Sequence, residues 1–217
     1  KSLICSVGLL AGVTLTLANP PSGDAPEIKI KGENRGKGKF CPVGEGSNPD
    51  KNQAKVQLAI LLDTSGSMSG LIEQAKTQLW SIVNTFIQAK QHGRVPFVEV
   101  ALYEYGNDGL NAENHWIRQI QPLTRDLDKI SEELFALRTN GGSEFCGAVI
   151  KRAIGDLKWD SSPNTYKAIF VAGNEPFDQG PVDPASACRE AIGNGVIVNS
   201  IHCGAEQVGI NTVWKAG

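Results

Sequence analysis

The chain has 217 residues, 41% of them hydrophobic and 20% charged, and a formal net charge of −2. That balance suits a globular domain with a full core and excludes a disordered or low-complexity chain. So small a charge gives no electrostatic reason for nucleic acid or an anionic membrane as the main partner.

Lys1 precedes an apolar stretch over residues 3–17, closed by Ala18-Asn19-Pro20-Pro21. This pattern predicts a secretory signal, residues 1–18, cleaved near Ala18. The apolar stretch falls short of the roughly 20 residues needed to span a bilayer, so no stable membrane span is expected after cleavage. The mature protein is then exported, to a periplasm or the extracellular space. No Met opens the chain and no closing element is evident after Val213-Trp214, so a fragment is expected, its domain truncated at the C-terminus. Residues 19–54 are rich in proline and glycine, carry a basic run over 29–39, and read as a linker.

Export governs the cysteines. Cys41, Cys146, Cys188 and Cys203 survive cleavage, without the C-x-x-C spacing of a zinc site. One or two disulfides suit an oxidising compartment, with Cys188–Cys203 the favoured pair, and buried free thiols are the alternative.

Residues 55–217 alternate strand and helix. The run over 56–62 is a continuous apolar strand of the kind covered on both faces. Apolar residues from Leu71 to Ile87 recur at helical spacing. Residues 97–105 form a second strand, and 115–120 a shorter third reached through the turn Gly106-Asn107-Asp108-Gly109. Asp126 caps the next helix. The loop Thr139-Asn140-Gly141-Gly142 leads to Ser143 and another helix; strands over 166–172 and 196–201 flank a helix over 185–192. Crossover helices between strands predict an α/β, doubly wound, mainly parallel Rossmann-like sheet, helices on both faces, with the third strand as its antiparallel edge. Ligands of such sheets sit at the carboxyl ends of the strands, where strand order reverses.

Asp63-x-Ser65-x-Ser67 lies at one such end. In an extended turn these three oxygen-bearing side chains point the same way. Hard oxygen donors suit Mg²⁺, Mn²⁺ or Ca²⁺. The plain alternative is a polar turn whose serines cap the following helix.

This motif, the Gly141-Gly142-Ser143 loop and the strand–helix alternation resemble the von Willebrand factor type A (VWA) domain over about residues 55–210, including exported bacterial members of that family. The resemblance implies a metal-ion-dependent adhesion site (MIDAS) with Ser143 at the position of the family's threonine. It implies a protein-binding module whose cation, held by Asp63, Ser65, Ser67 and Ser143, captures an Asp or Glu carboxylate of a partner. The family usually ends its fourth strand with Thr-Asp-Gly, whereas here Gly173 falls on the aspartate and Asn174 or Glu175 is left to substitute. Asn174 is therefore a further candidate ligand. With Asp63 as sole carboxylate, a divalent ion keeps about one uncompensated charge, which weakens its binding and sharpens its attraction for an incoming carboxylate.

Two other readings stand beside this one. A scaffold domain that kept the fold and lost the metal accounts for the missing aspartate. An aspartic-protease-like hydrolase shares only Asp63-Thr64-Ser65-Gly66, and that chemistry needs a second carboxylate motif and a β-fold. The sequence lacks H-E-x-x-H, G-x-S-x-G and a Walker-type lysine, so no enzyme is expected.

Overall fold

The computed structural model describes residues 6–9, 13–16, 53–89 and 94–214. Strands β1 (Ser6–Leu9) and β2 (Val13–Thr16) pair antiparallel. They fall within the expected signal segment, whose remainder lies outside the described residues, as do the linker up to residue 52 and residues 215–217.

The domain begins with β3 (Lys55–Asp63), followed by α1 (Ile72–Gln88), β4 (Phe97–Tyr105), β5 (Ile117–Thr124) and α2 (Leu127–Ala136). Then come α3 (Cys146–Asp156), β6 (Thr165–Gly173), α4 (Pro184–Gly193), β7 (Ile197–His202) and α5 (Glu206–Asn211). The main sheet has the order β5-β4-β3-β6-β7, and only β5 runs antiparallel to its neighbour. Strand order reverses beside β3, so the binding crevice of this topology opens at the ends of β3 and β6.

Period-two alternation divides the core. Leu58, Ile60 and Leu62 of β3 join Val100, Leu102 and Phe170 under Leu79 and Val83 of α1 and Ile130 and Leu134 of α2. Ala59 and Leu61 join Tyr103, Tyr105, Ile169 and Val171 under Val149, Ile150 and Ala153 of α3 and Ala187 of α4. Both faces of β3 are therefore covered, which is why its sequence reads as an unbroken apolar run. Burying each of the Leu, Ile, Val and Phe side chains among these contributes about 1.5–3 kcal/mol. The same alternation turns Asp63 toward the α3 face.

The sequence expectations need four corrections. Strand β5 starts at Ile117 and continues through Pro122 to Thr124, longer than expected; an edge strand tolerates the missing donor. Helix α3 starts at Cys146, three residues beyond Ser143, and Gly142, at φ +153°, packs on the Gly106 carbonyl in the loop ahead of it. Helix α5 follows β7 and was not anticipated. Cys188 and Cys203 are not joined: Cys188 packs with the α3 face and Cys203 with the α1 face, so the sheet separates them.

Candidate functional site

The end of β3 is fixed from several directions. Thr64 is fully buried; its amide donates to the Tyr105 carbonyl at 2.9 Å and its hydroxyl to Glu104 Oε2 at 3.2 Å. Glu104, also buried, is paired with Arg118 at 2.5 Å. The chain then turns through a short 3-10 helix, Gly66–Met68, anchored by the buried Met68 side chain. These restraints hold the polar atoms of the motif in place before any ligand arrives.

Within the turn, Asp63 is 0% exposed and its Oδ1 accepts from the Ser65 amide at 2.8 Å. Its Oδ2 is buried and has no hydrogen-bond partner. The Ser65 and Ser67 hydroxyls lie 2.9 Å apart, and Ser67 Oγ donates to Asn174 Oδ1 at 3.0 Å. The ends of β3 and β6 are thus linked through side chains, and Asp63, Ser65, Ser67 and Asn174 share one crevice.

The second loop is laid directly on the first. The Asn140 amide donates to the Thr64 carbonyl at 3.0 Å, and the Asp108 amide to the Gly141 carbonyl at 2.6 Å. Gly66 allows this approach: a β-carbon there would stand 3.3 Å from Gly141 Cα. Lys76 of α1, fully buried, secures the loop's start by donating to the Leu137 carbonyl at 2.8 Å, at the C-terminus of α2.

Ser143 is half-buried in this loop, and its hydroxyl makes no hydrogen bond to Asp63, Ser65, Ser67 or Asn174 among the described contacts. The side chain that approaches Asp63 from the loop belongs to the next residue, Glu144, which is 8% exposed. A β-carbon on Gly106 would meet Asp63 Oδ1 and Glu144 Cγ, each at 3.0 Å. Sequence reasoning missed Glu144. Its only signal was a carboxylate set against the apolar Phe145-Cys146 at a helix start, where acidic residues are common for other reasons.

Electrostatics follow from the burial. Asp63 is pushed up to about 6, first by burial and further by the nearby Glu175 carboxylate, while the Ser65 amide and, from positions too long or too bent for a true hydrogen bond, the Ser65 hydroxyl and Asn174 amide pull it back. Glu144 is pushed up to about 7 by burial and then by the Asp63 charge. Burial raises the Cys146 thiol to about 12, which keeps it neutral beside them.

An oxygen-ligated divalent cation fits these residues. The fit rests on the orphaned Asp63 Oδ2, on the all-oxygen donor set, and on two carboxyls that no cationic side chain balances among the described ion pairs. No cluster of three or more His, Cys, Asp or Glu suited to a metal occurs among the described residues, so the hydroxyls would have to contribute.

No family model and no curated protein matches the chain. Solved structures do. The SpRpn10 VWA domain superposes with a TM-score of 0.53 at 17% identity, covering 76% of this chain and 82% of that one. The pilus adhesin SpaC of Lactobacillus rhamnosus GG, in its open conformation, gives 0.51 at 14%, covering 77% of this chain and 27% of that one. Proximal thread matrix protein 1 of the mussel byssus gives 0.51 at 14%, with 67% and 35% covered. Another structure of that mussel protein has a zinc-occupied MIDAS motif, with a TM-score of 0.52 at 14%, covering 67% of this chain and 37% of that one. This chain spans about a third of the mussel protein and about a quarter of the adhesin. At these identities the likeness is one of fold, and the fold of this chain is that of the von Willebrand factor type A domain.

Proposed function

We propose that this domain is a protein-interaction module that captures a carboxylate of its partner through a bound divalent cation, Mg²⁺ before Mn²⁺ or Ca²⁺. Asp63, Ser65 and Ser67 would hold the ion, with Ser143 and Asn174 at its margin. One observation carries this reading: a fully buried carboxylate at the end of the central strand has one oxygen with no partner, and the Ser65 and Ser67 hydroxyls, 2.9 Å apart, follow it in the same turn. Water or a cation must compensate such an atom when the acid is ionised, and the donors present suit a hard ion. The zinc found in the MIDAS motif of the mussel protein supports the same reading from a structure of like fold. When bound, the ion supplies a fixed positive charge in a partly dry crevice and accepts an Asp or Glu side chain. The reading is non-catalytic and needs no nucleic acid. It includes export of the chain by residues 1–18 and a tether over residues 19–54; among the described residues no helix is long and apolar enough to cross a membrane.

A metal-free scaffold is the second reading, favoured by the chain Ser65–Ser67–Asn174, which satisfies its own hydrogen bonds. Retention of the protein on immobilised poly-glutamate in Mg²⁺ separates the two. Retention lost with EDTA and with Asp63→Ala supports the cation-dependent module. Retention indifferent to both favours the scaffold.

A further inference from the structure

Strand β6 cannot contribute a carboxylate at Gly173, its last residue. A β-carbon on Gly173 would stand 2.7 Å from the Tyr105 hydroxyl and 3.0 Å from Asp63 Oδ2, so no side chain larger than hydrogen fits without displacing them. The Tyr105 hydroxyl fills that space, donates to the Ala172 carbonyl at 3.1 Å, and is fully buried.

Across the crevice the packing is the reverse. Gly106, at φ +77°, leaves a gap into which Asp63 Oδ1 and Glu144 Cγ both project, each 3.0 Å from the site of the missing β-carbon. The Glu144 Cγ methylene is therefore within about 6 Å of Asp63 Oδ1, and after burial the Asp63 charge is the next cause that holds the Glu144 carboxyl up. Gly142 brings the loop in: a β-carbon there would fall 2.0 Å from the Gly106 carbonyl oxygen. Two acidic residues, both nine-tenths buried or more, thus converge on the Oδ1 side of Asp63 with no Lys, Arg or His paired to either among the described ion pairs, while the unpartnered Oδ2 of the same carboxylate lies on the Gly173 side. Ionised together without a counter-charge, such a pair is costly.

We infer that Glu144 is the second anionic ligand of the cation site, delivered by the loop ahead of α3 in place of a carboxylate at the end of β6. The inference rests on the cation-dependent reading above and changes its charge count. With Asp63 and Glu144 both ionised, a divalent ion is neutralised by the protein itself. The site then holds its ion without help and attracts a partner carboxylate less than a site with one acid would. Glu144 sets the balance between ion affinity and partner affinity.

Mn²⁺ binding to the full chain at pH 7.5, followed by the electron paramagnetic resonance signal of the free ion, tests this on wild type, Glu144→Gln and Asp63→Asn. Glu144→Gln is expected to weaken Mn²⁺ binding by about tenfold or more. At saturating Mn²⁺ the same variant is expected to bind poly-glutamate more tightly than wild type. A purely structural role would not produce that opposite pair of effects. Its thermal midpoint in EDTA should equal or exceed that of wild type, and Glu144→Asp, with the charge kept on a shorter arm, should fall between the two in Mn²⁺ affinity. Unchanged Mn²⁺ affinity in Glu144→Gln overturns the assignment and leaves the cation reading standing. Weaker binding of both Mn²⁺ and poly-glutamate also overturns it. A wild-type chain that binds no Mn²⁺ overturns both.

Discussion

The two flanks of Asp63 are built in opposite ways. On the β6 side a glycine is packed shut by the Tyr105 hydroxyl, so the strand itself offers backbone, with the Asn174 carboxamide beyond it and the Glu175 carboxylate near enough to act on Asp63. On the α3 side Gly106 and Gly142 bring two loops together and admit a second carboxyl group. The same fold position can therefore lose its acid while the crevice keeps two, because the neighbouring loop can reach the same spot. Inspection of one strand end alone would report a broken site.

The largest expected effect is on the open flank. Gly142→Ala places a methyl group 2.0 Å from the Gly106 carbonyl oxygen at a backbone φ of +153°. It should destabilise the domain by about 3 kcal/mol or more, read by urea denaturation, because backbone must move to relieve it. A loss under about 1 kcal/mol would mean the two loops are not held as tightly as described.

The next effect is of pH on the metal-free protein. Asp63 and Glu144 lie at about 6 and about 7, above the ordinary values of 3.8 and 4.5. Between those values the folded state holds protons that the unfolded chain has released. Their contribution to stability is complete below about pH 4 and is lost as pH rises through 6 to 7. For Asp63, fully buried, the loss is on the order of 3 kcal/mol. Asp63→Asn should flatten this fall between about pH 4 and pH 6 in chemical denaturation with EDTA, leaving the part near pH 7 that belongs to Glu144. A variant with the wild-type slope would show that Asp63 is not the group responsible.

On the closed flank, Gly173→Ala should cost about 1–3 kcal/mol by crowding the Tyr105 hydroxyl. Tyr105→Phe in the same chain should recover part of that loss, because it removes the atom 2.7 Å from the new methyl group. Additive losses in this double-mutant cycle would contradict the contact. The smallest effect is expected at the hinge between the flanks: Thr64→Val removes one hydroxyl donated to Glu104 and should cost about 1 kcal/mol by thermal denaturation.

Much of the architecture was legible because it depends on local pattern. The β4 boundaries match the apolar run from residue 97 to 105, and Asp126 caps α2 by accepting from the Lys129 amide as its position implied. The motif Asp63-x-Ser65-x-Ser67 announced a polar turn at a strand end, and that turn is where it lies. What stayed hidden depends on contacts between distant parts of the chain. Glu144 is buried because the turn at Gly106, just after β4, leaves it a gap. Gly173 has no room because of Tyr105, from β4. Ser143 drew attention through its hydroxyl, yet its neighbour approaches Asp63, since only tertiary packing decides which of two adjacent side chains faces inward.

Calorimetric titration of Mg²⁺ and Mn²⁺ into the full chain at pH 7.5, beside Asp63→Asn, tests the cation site most directly. The account predicts one site per chain in the wild type and none in the variant. Heats that are absent from both proteins, or equal in both, would contradict it.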